Sequence, residues 1–125
     1  MNSVLVIDDS PPMRQALRAV LTLKGYQTRT AGDGPTGLAA IEQGPPPDVI
    51  LLDMMMPGMS GLDFLRALRQ TPRGASVPVI VVSASDAQSA EARALGASDY
   101  LVKSRYSNAD LLARIARHVP VKSAA

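Results

Sequence analysis

Short apolar runs alternate along the chain with longer stretches in which apolar residues recur every three to four positions. Apolar runs without polar alternation are typical of strands buried on both faces, as in a parallel sheet covered by helices. The pattern predicts five such strands, at about residues 4–7, 27–31, 49–53, 79–83 and 100–103. The stretches between them therefore have to supply the covering helices.

Five helices are predicted from the three-to-four spacing and from their end signals. The first follows Ser10 and Pro11, an N-cap residue and a first-turn proline, and ends at Gly25. The last begins after Ser107, which forms a capping-box pattern with Asp110. The three others are predicted near residues 36–43, 60–69 and 87–95.

Strand and helix thus alternate five times, which predicts an α/β fold. Because crossovers between parallel strands are right-handed, such a chain is restricted to a doubly wound parallel sheet with helices on both faces. We predict one domain over residues 1–120. Residues 121–125 are expected to form a short C-terminal tail.

Composition excludes several classes of protein. The chain has 125 residues, 46% of them hydrophobic, and no cysteine, so disulfides and thiolate metal sites are absent. A net charge of +2 with scattered arginines gives no reason to expect nucleic-acid binding. The N-terminus has no secretory-signal pattern and no apolar run reaches bilayer length. We therefore expect a cytoplasmic protein that does not bind membranes.

Polar residues stand where the predicted strands end. Asp8 and Asp9 follow the first strand, and Asp53, Ser83 and Lys103 end the third, fourth and fifth strands. The carboxyl ends of parallel strands meet at one edge of the sheet, which is where open α/β sheets bind ligands. Three carboxylates, one ammonium and one hydroxyl are therefore expected in a single crevice.

That set of groups suits phosphoryl chemistry with a divalent metal. Three carboxylates repel one another, so Lys103 and a hard cation are needed to neutralise them. Oxygen-only ligands favour Mg²⁺, with Mn²⁺ as an alternative. Beside such charges Asp53 is well placed to attack phosphorus and form an aspartyl phosphate, while Ser83 donates a hydrogen bond to a phosphoryl oxygen.

Four segments of the chain resemble the signatures of two-component response-regulator receiver domains. They are residues 6–10 with Asp8-Asp9, residues 51–61 with Asp53 and Pro57-Gly58, residues 82–84 with Ser83, and residues 100–103 with Tyr100 and Lys103. In order and spacing they span essentially the whole chain. The resemblance implies a flavodoxin-like sheet of strand order 2-1-3-4-5. It also implies phosphorylation from the phosphohistidine of a sensor histidine kinase or of a histidine phosphotransfer protein, with Mg²⁺ required.

The resemblance also implies a role for each matching residue. Asp53 is the phosphoacceptor, and Asp8 and Asp9 are the metal-binding pair, one of them acting through a water. The backbone carbonyl of Met55 is a further metal ligand beside Asp53. Lys103 is the lysine that binds the phosphoryl group.

Ser83 and Tyr100 match the hydroxyl–aromatic pair that rearranges on phosphorylation in this family. Their movement alters the face formed by the fourth helix, fifth strand and fifth helix, which controls a downstream protein partner. The resemblance thus implies a phosphorylation-dependent switch, monomeric or weakly dimeric, that is not a turnover enzyme.

Two positions depart from the family pattern. Ser104 follows Lys103, where family members usually have a proline, often in a cis peptide; a non-proline cis bond costs about 2.5–4 kcal/mol, so either a trans peptide or a strained one is expected. Met55 and Ser85 flank the path by which water reaches the phosphoryl group in the family. Because a bulky apolar Met55 cannot orient that water, we expect slow self-dephosphorylation.

Several other interpretations remain open from the sequence. The chain is either a single-domain switch or the receiver fragment of a larger regulator, for example a DNA-binding one. A haloacid-dehalogenase-type phosphatase also uses a nucleophilic Asp after a strand, but it requires a second Asp where Met55 stands. A flavodoxin-like binding module is disfavoured because Asp8 and Asp9 would repel phosphate. Arg69 and Arg114 are expected to be solvated, and His118 to complement a helix dipole.

Overall fold

Strands and helices alternate throughout residues 2–119, which are the residues described by the computed structural model of the chain. The elements are β1 (Ser3–Ile7), α1 (Pro11–Leu23), β2 (Gln27–Ala31), α2 (Gly34–Gln43), β3 (Val49–Leu52), α3 (Gly61–Arg69), β4 (Val79–Ser83), α4 (Ser89–Ala94), β5 (Asp99–Val102) and α5 (Asn108–His118). The predicted alternation is confirmed. The expected tail at residues 121–125 lies outside the described residues.

The sheet has the strand order β2-β1-β3-β4-β5, and all four neighbouring pairs are parallel. The register places Val6 beside Thr30 on one side and beside Leu51 on the other. Leu51 in turn pairs with Ile80. The doubly wound fold and its strand order are therefore as expected, and the strand carboxyl ends share one edge of the sheet.

Two side-chain layers form the core because successive strand residues point to opposite faces of the sheet. On one face, Leu5, Ile7 and their neighbours pack against α2, α3 and α4, with Phe64 fully buried. On the other, Val4 and Val6 pack against α1 and α5. Each such large apolar side chain contributes roughly 1.5–3 kcal/mol on burial. Both faces of the central strands are thus covered by helices, so a ligand can reach the sheet only at its edges.

The helix ends follow the predicted capping signals in most places. Ser10 accepts a hydrogen bond from the Met13 backbone N–H at 3.4 Å, and Ser107 forms a capping box with Asp110. The fourth helix is shorter than predicted, spanning Ser89–Ala94, and its N-cap residue Gln88 makes no side-chain capping bond. A helix this short without a cap is held mainly by its tertiary contacts.

Arg69 was expected to be solvated, and that interpretation is wrong. From the end of α3 its guanidinium donates hydrogen bonds to the backbone carbonyls of Val77 at 2.8 Å and Gly96 at 2.6 Å. The same group reaches Gly74 at 3.1 Å. Arg69 therefore joins the loop before β4 to the turn before β5, and burial lowers its pKa.

Asp99 forms a polar cluster with Arg114 and His118 that was not predicted from the sequence. Its buried carboxylate at the start of β5 accepts a hydrogen bond from Arg114 and pairs with His118 Nε2 at 3.2 Å. Burial by itself would raise the pKa of Asp99, but His118 and Arg114 together outweigh it and lower that pKa. Arg114 is thus half-buried rather than solvated, and His118 fastens α5 to β5.

Gly61 allows α3 to start against the end of β3. Its backbone N–H donates to the Met54 carbonyl at 2.9 Å. A Cβ at this position would lie 2.7 Å from the Asp53 carbonyl oxygen and 2.7 Å from the Met54 Cα. Since both neighbours are backbone atoms, no side-chain rotation can relieve the clash.

We expect Gly61→Ala to lower the free energy of unfolding by about 1–3 kcal/mol, because overpacking against backbone forces α3 away from β3. Urea denaturation followed by circular dichroism measures the change. Gly44→Ala is the matched control, since its added Cβ would meet Arg29 Nη1 at an ordinary 3.4 Å. Equal effects of the two substitutions would contradict the close approach at Gly61.

Candidate functional site

Three carboxylates come together at the carboxyl edge of the sheet. Asp8 and Asp9 follow β1, and Asp53 follows the adjacent strand β3. One carboxylate oxygen from each lies within 4.8 Å of the others. Together with Lys103 these residues form what we call the acidic crevice. Residues 8 and 53 are distant in the chain, and the pairing of β1 with β3 brings them together.

Burial differs among the three carboxylates. Asp8 is 2% exposed and Asp53 is 5% exposed, whereas Asp9 is exposed to solvent. The two buried groups lie at strand ends within the protein body, and Asp9 lies on the outer side. The acidic crevice is therefore open on the side of Asp9.

Lys103 supplies the balancing charge. Its Nζ lies 3.5 Å from Asp8 Oδ2 and 3.6 Å from Asp53 Oδ1. The residue follows β5, so its side chain passes the end of β4 to reach β1 and β3. A backbone hydrogen bond of 2.7 Å from Lys103 N–H to the Ser83 carbonyl holds the start of that path. Its peptide bond to Ser104 is trans, as are the other bonds among residues 2–119.

Arg14 is a contributor to the site that sequence reasoning missed. Its Nη1 donates to the Asp8 carbonyl at 2.7 Å, while the Ser10 backbone N–H donates to Asp8 Oδ1 at 2.9 Å. Asp8 N–H in turn donates to the Ala31 carbonyl at 3.1 Å. Both the backbone and the carboxylate of Asp8 are therefore fixed. No motif marks Arg14, and only its place in the first turn of the helix after Asp8 could have suggested the contact.

The pKa of Asp53 is raised above its ordinary value of 3.8. Burial is the largest cause, and the negative charge of Asp8 adds to it, with a smaller addition from Asp9. Lys103 and the Met55 backbone N–H oppose the rise but do not cancel it. The acidic crevice thus holds an uncompensated negative charge, which a bound cation would relieve.

Ser83 and Tyr100 lie on adjacent strands near the acidic crevice. Ser83 is buried at the end of β4, one strand away from Asp53. Tyr100 on β5 pairs in register with Val81 and is half-buried. Its hydroxyl donates a 2.7 Å hydrogen bond to the Ser85 carbonyl. The aromatic side chain is therefore hydrogen-bonded to the loop that follows Ser83.

The three consecutive methionines after Asp53 occupy different environments. Met54 is 1% exposed and Met56 is 8% exposed, so both belong to the core. Met55 is 69% exposed. It lines a surface cavity of about 400 Å³ that Asp9 also lines. Packing accounts for two of the methionines, and the third faces solvent beside the acidic crevice.

The donor set fits a hard divalent cation. Three carboxylates, each with one oxygen within 4.8 Å of the others, are ligands of the type that Mg²⁺ and Mn²⁺ prefer. The exposed Asp9 leaves room for the waters that Mg²⁺ keeps. The pKa of Asp53 is raised, and a cation bound beside the carboxylate would lower it.

Comparison with known proteins identifies the type of domain. Residues 4–116 match the family described as response regulator receiver domain. Among curated relatives, the sensory transduction protein RegX3 of Mycolicibacterium smegmatis is 41% identical over 117 residues, covering 92% of this chain and 49% of its own. The chain spans about half the length of RegX3 and of the transcriptional regulatory protein KdpE of Mycobacterium tuberculosis.

Solved structures show the same architecture. The Vibrio cholerae chemotaxis protein CheY4 aligns with a TM-score of 0.87 at 33% identity, covering 95% of this chain and 99% of its own. The Thermotoga maritima response regulator TrrA, solved in complex with Mg²⁺-BeF, aligns with a TM-score of 0.85 at 28% identity and covers 95% of this chain and 100% of its own. Among residues 2–119, no helix has the length and apolar character needed to cross a membrane.

We expect Asp53→Asn to stabilise the metal-free protein at neutral pH. A raised pKa in the folded state means that the stability associated with the protonated carboxyl is lost as the pH rises through that pKa. Neutral Asn keeps that stability, at about 1.4 kcal/mol for each unit by which the pKa is raised. The gain should disappear in acid, below the unfolded-state pKa.

Urea denaturation in the presence of EDTA, repeated across pH, measures this difference. Asp86→Asn serves as the control, because Asp86 is exposed and makes a surface ion pair with Arg105 at 3.6 Å. That pair should contribute no more than about 1 kcal/mol. A lower stability of Asp53→Asn at neutral pH would show that the acidic crevice does not strain the folded state.

Proposed function

The chain belongs to the response regulator receiver domain family of two-component systems, and we propose that Asp53 is its phosphoacceptor. One observation carries this proposal: Asp53 is buried at the centre of the acidic crevice with Lys103 Nζ 3.6 Å from its Oδ1. Of the three carboxylates, it is the one flanked by both the lysine and the Met55 backbone N–H. It is therefore the best supported as the nucleophile.

In the proposed reaction, a carboxylate oxygen of Asp53 attacks the phosphorus of a phosphohistidine. The new O–P bond forms as the P–N bond breaks, and the released imidazole takes up a proton. Lys103 is close enough to Asp53 to neutralise and hold the phosphoryl oxygens, and the Ser83 hydroxyl would donate to one of them.

Asp8, Asp9, Asp53 and the Met55 backbone carbonyl would hold the divalent cation. When bound, Mg²⁺ or Mn²⁺ supplies positive charge to the phosphoryl oxygens. The protein's own contribution is orientation: Arg14 and the Ser10 N–H fix Asp8, so that its carboxylate faces the cation site without rearrangement.

The proposed switch connects Ser83 to Tyr100. Ser83 would move toward the phosphoryl group, and it begins the loop whose Ser85 carbonyl accepts the Tyr100 hydroxyl. A displacement of that loop therefore changes the position available to the aromatic ring. The affected surface is that of α4, β5 and α5, whose altered population of conformers would select the partner.

We place the receiver domain at residues 1–120, in the cytoplasm, as a monomer or weak dimer without direct nucleic-acid binding. The phosphodonor would be a sensor histidine kinase or a histidine phosphotransfer protein, and the output a contact with another protein. The domain would promote its own phosphorylation and dephosphorylation but would not be a turnover enzyme.

Incubation with acetyl phosphate and Mg²⁺ should add one phosphoryl group, detected by intact-protein mass spectrometry. The addition should vanish in Asp53→Asn and in EDTA, because the nucleophile or the balancing charge is then missing. Asp86→Asn, an exposed acidic residue outside the acidic crevice, should be phosphorylated like the wild type. A mass increase that persists in Asp53→Asn, or that needs no divalent cation, would refute the site.

Once formed, the phosphoryl group should persist well beyond seconds after acetyl phosphate is removed. Met55 has only a weak acceptor sulfur and cannot orient the attacking water. Met55→Gln, which adds an amide beside Asp53, should shorten the lifetime several-fold, whereas Ser85→Ala should not. Desalting followed by mass spectrometry over time gives these lifetimes. Complete loss within seconds in the wild type would show that water is oriented by another group.

A further inference from the structure

Met55 differs from the other methionines of residues 2–119 in accessibility. Its side chain is 69% exposed, while Met54 and Met56 are nearly closed to solvent and Met13 and Met59 are half-buried. The chain contains no cysteine that would react with an oxidant first. A thioether is the side chain most readily converted by peroxides after a thiol. Met55 is therefore the most accessible methionine among the described residues.

The location of Met55 gives such a reaction a consequence. Met55 follows Asp53 by two residues, its backbone N–H bonds that carboxylate, and its side chain lines the same 400 Å³ cavity as Asp9. The cavity is open to solvent beside the carboxylate that faces outward. A peroxide and an attacking water would therefore approach the acidic crevice from the side on which Met55 lies.

We propose that Met55 is an oxidation site through which a peroxide-class oxidant shortens the lifetime of the phosphoryl group on Asp53. The Met55 sulfur attacks one oxygen of hydrogen peroxide, an S–O bond forms, the O–O bond breaks, and water leaves after proton transfer. Sulfur is oxidised by two electrons and the peroxide is reduced by two. This inference rests on the proposed phosphorylation of Asp53.

The change in chemistry at Met55 explains the expected direction. The thioether is apolar and a weak acceptor, whereas the sulfoxide carries a strongly polar oxygen. Placed beside the acidic crevice, that oxygen can accept a hydrogen bond from water and orient it toward phosphorus. Oxidation therefore adds the function that the unmodified side chain lacks, and the domain returns sooner to its unphosphorylated state.

The test uses the full chain, hydrogen peroxide as the oxidant and acetyl phosphate with Mg²⁺ as the phosphodonor. Peptide mapping by mass spectrometry should find oxygen added at Met55 before Met13 or Met59. The phosphoryl lifetime of the oxidised protein should fall several-fold relative to its own unoxidised form. Treatment with methionine sulfoxide reductase should restore the longer lifetime.

Two variants separate the effect at Met55 from general damage. Met55→Leu retains the other five methionines, so peroxide should leave its phosphoryl lifetime as it was before treatment. Met59→Leu, which removes a half-buried sulfur in the same loop, should respond like the wild type. A response to peroxide that remains in Met55→Leu would overturn the proposal.

The remaining outcomes are also decisive. Oxidation of Met13 or Met59 before Met55 refutes the oxidation site. Oxidation of Met55 with an unchanged or longer phosphoryl lifetime refutes its effect, although Asp53 would still be the phosphoacceptor. Absence of any phosphoryl group in the unoxidised protein overturns the proposed function itself, and with it the inference.

Discussion

The burial of two carboxylates, Asp8 and Asp53, at adjacent strand ends is the constraint on which the rest of the acidic crevice depends. Burial is the largest cause of the raised pKa of Asp53, and the negative charge of Asp8 adds to it. Lys103 offsets part of this rise by reaching both groups from the other side of β4. In the proposed function, a bound cation would neutralise the negative charge that Lys103 leaves in the acidic crevice.

The fold tolerates the excess negative charge of the acidic crevice because packing and hydrogen bonds hold the surrounding elements in place. The two core layers hold β1 and β3 on both faces, and Arg14 and Ser10 fix the orientation of Asp8. The close approach of Gly61 to the end of β3 holds the loop that follows Asp53. Local strain at a functional site is sustained only when the surroundings determine the geometry.

The sequence predicted the fold and the grouping of the acidic residues because both follow from strand periodicity. Apolar runs locate strands, and the parallel sheet then brings Asp8, Asp9, Asp53 and Lys103 to one edge whatever their distance in the chain. Their chemical roles remain predictions, since geometry alone does not show phosphorylation. The trans Lys103–Ser104 peptide agrees with one of the two expected alternatives.

Contacts made by long side chains could not be predicted in the same way. An arginine on a helix has the same sequence signal whether it is solvated or bonded, so Arg69, Arg114 and Arg14 gave no indication of their partners. Each spans several ångströms to a carbonyl or carboxylate of another element. The length of α4 was overestimated because its apolar spacing does not show that Gln88 makes no side-chain capping bond.

The bonds that Arg69 makes have a mechanical consequence for α4. They hold the turn at Gly96, where α4 gives way to β5, against the end of α3 and the carbonyl of Val77. The opposite end of α4, at Gln88, has no side-chain cap and lies beyond the loop that carries Ser83 and Ser85. A displacement that starts at Ser83 would therefore rotate α4 about its C-terminal end, which Arg69 holds in place at Gly96. The largest movement would occur at the N-terminal end of α4, near Gln88 and the acidic crevice.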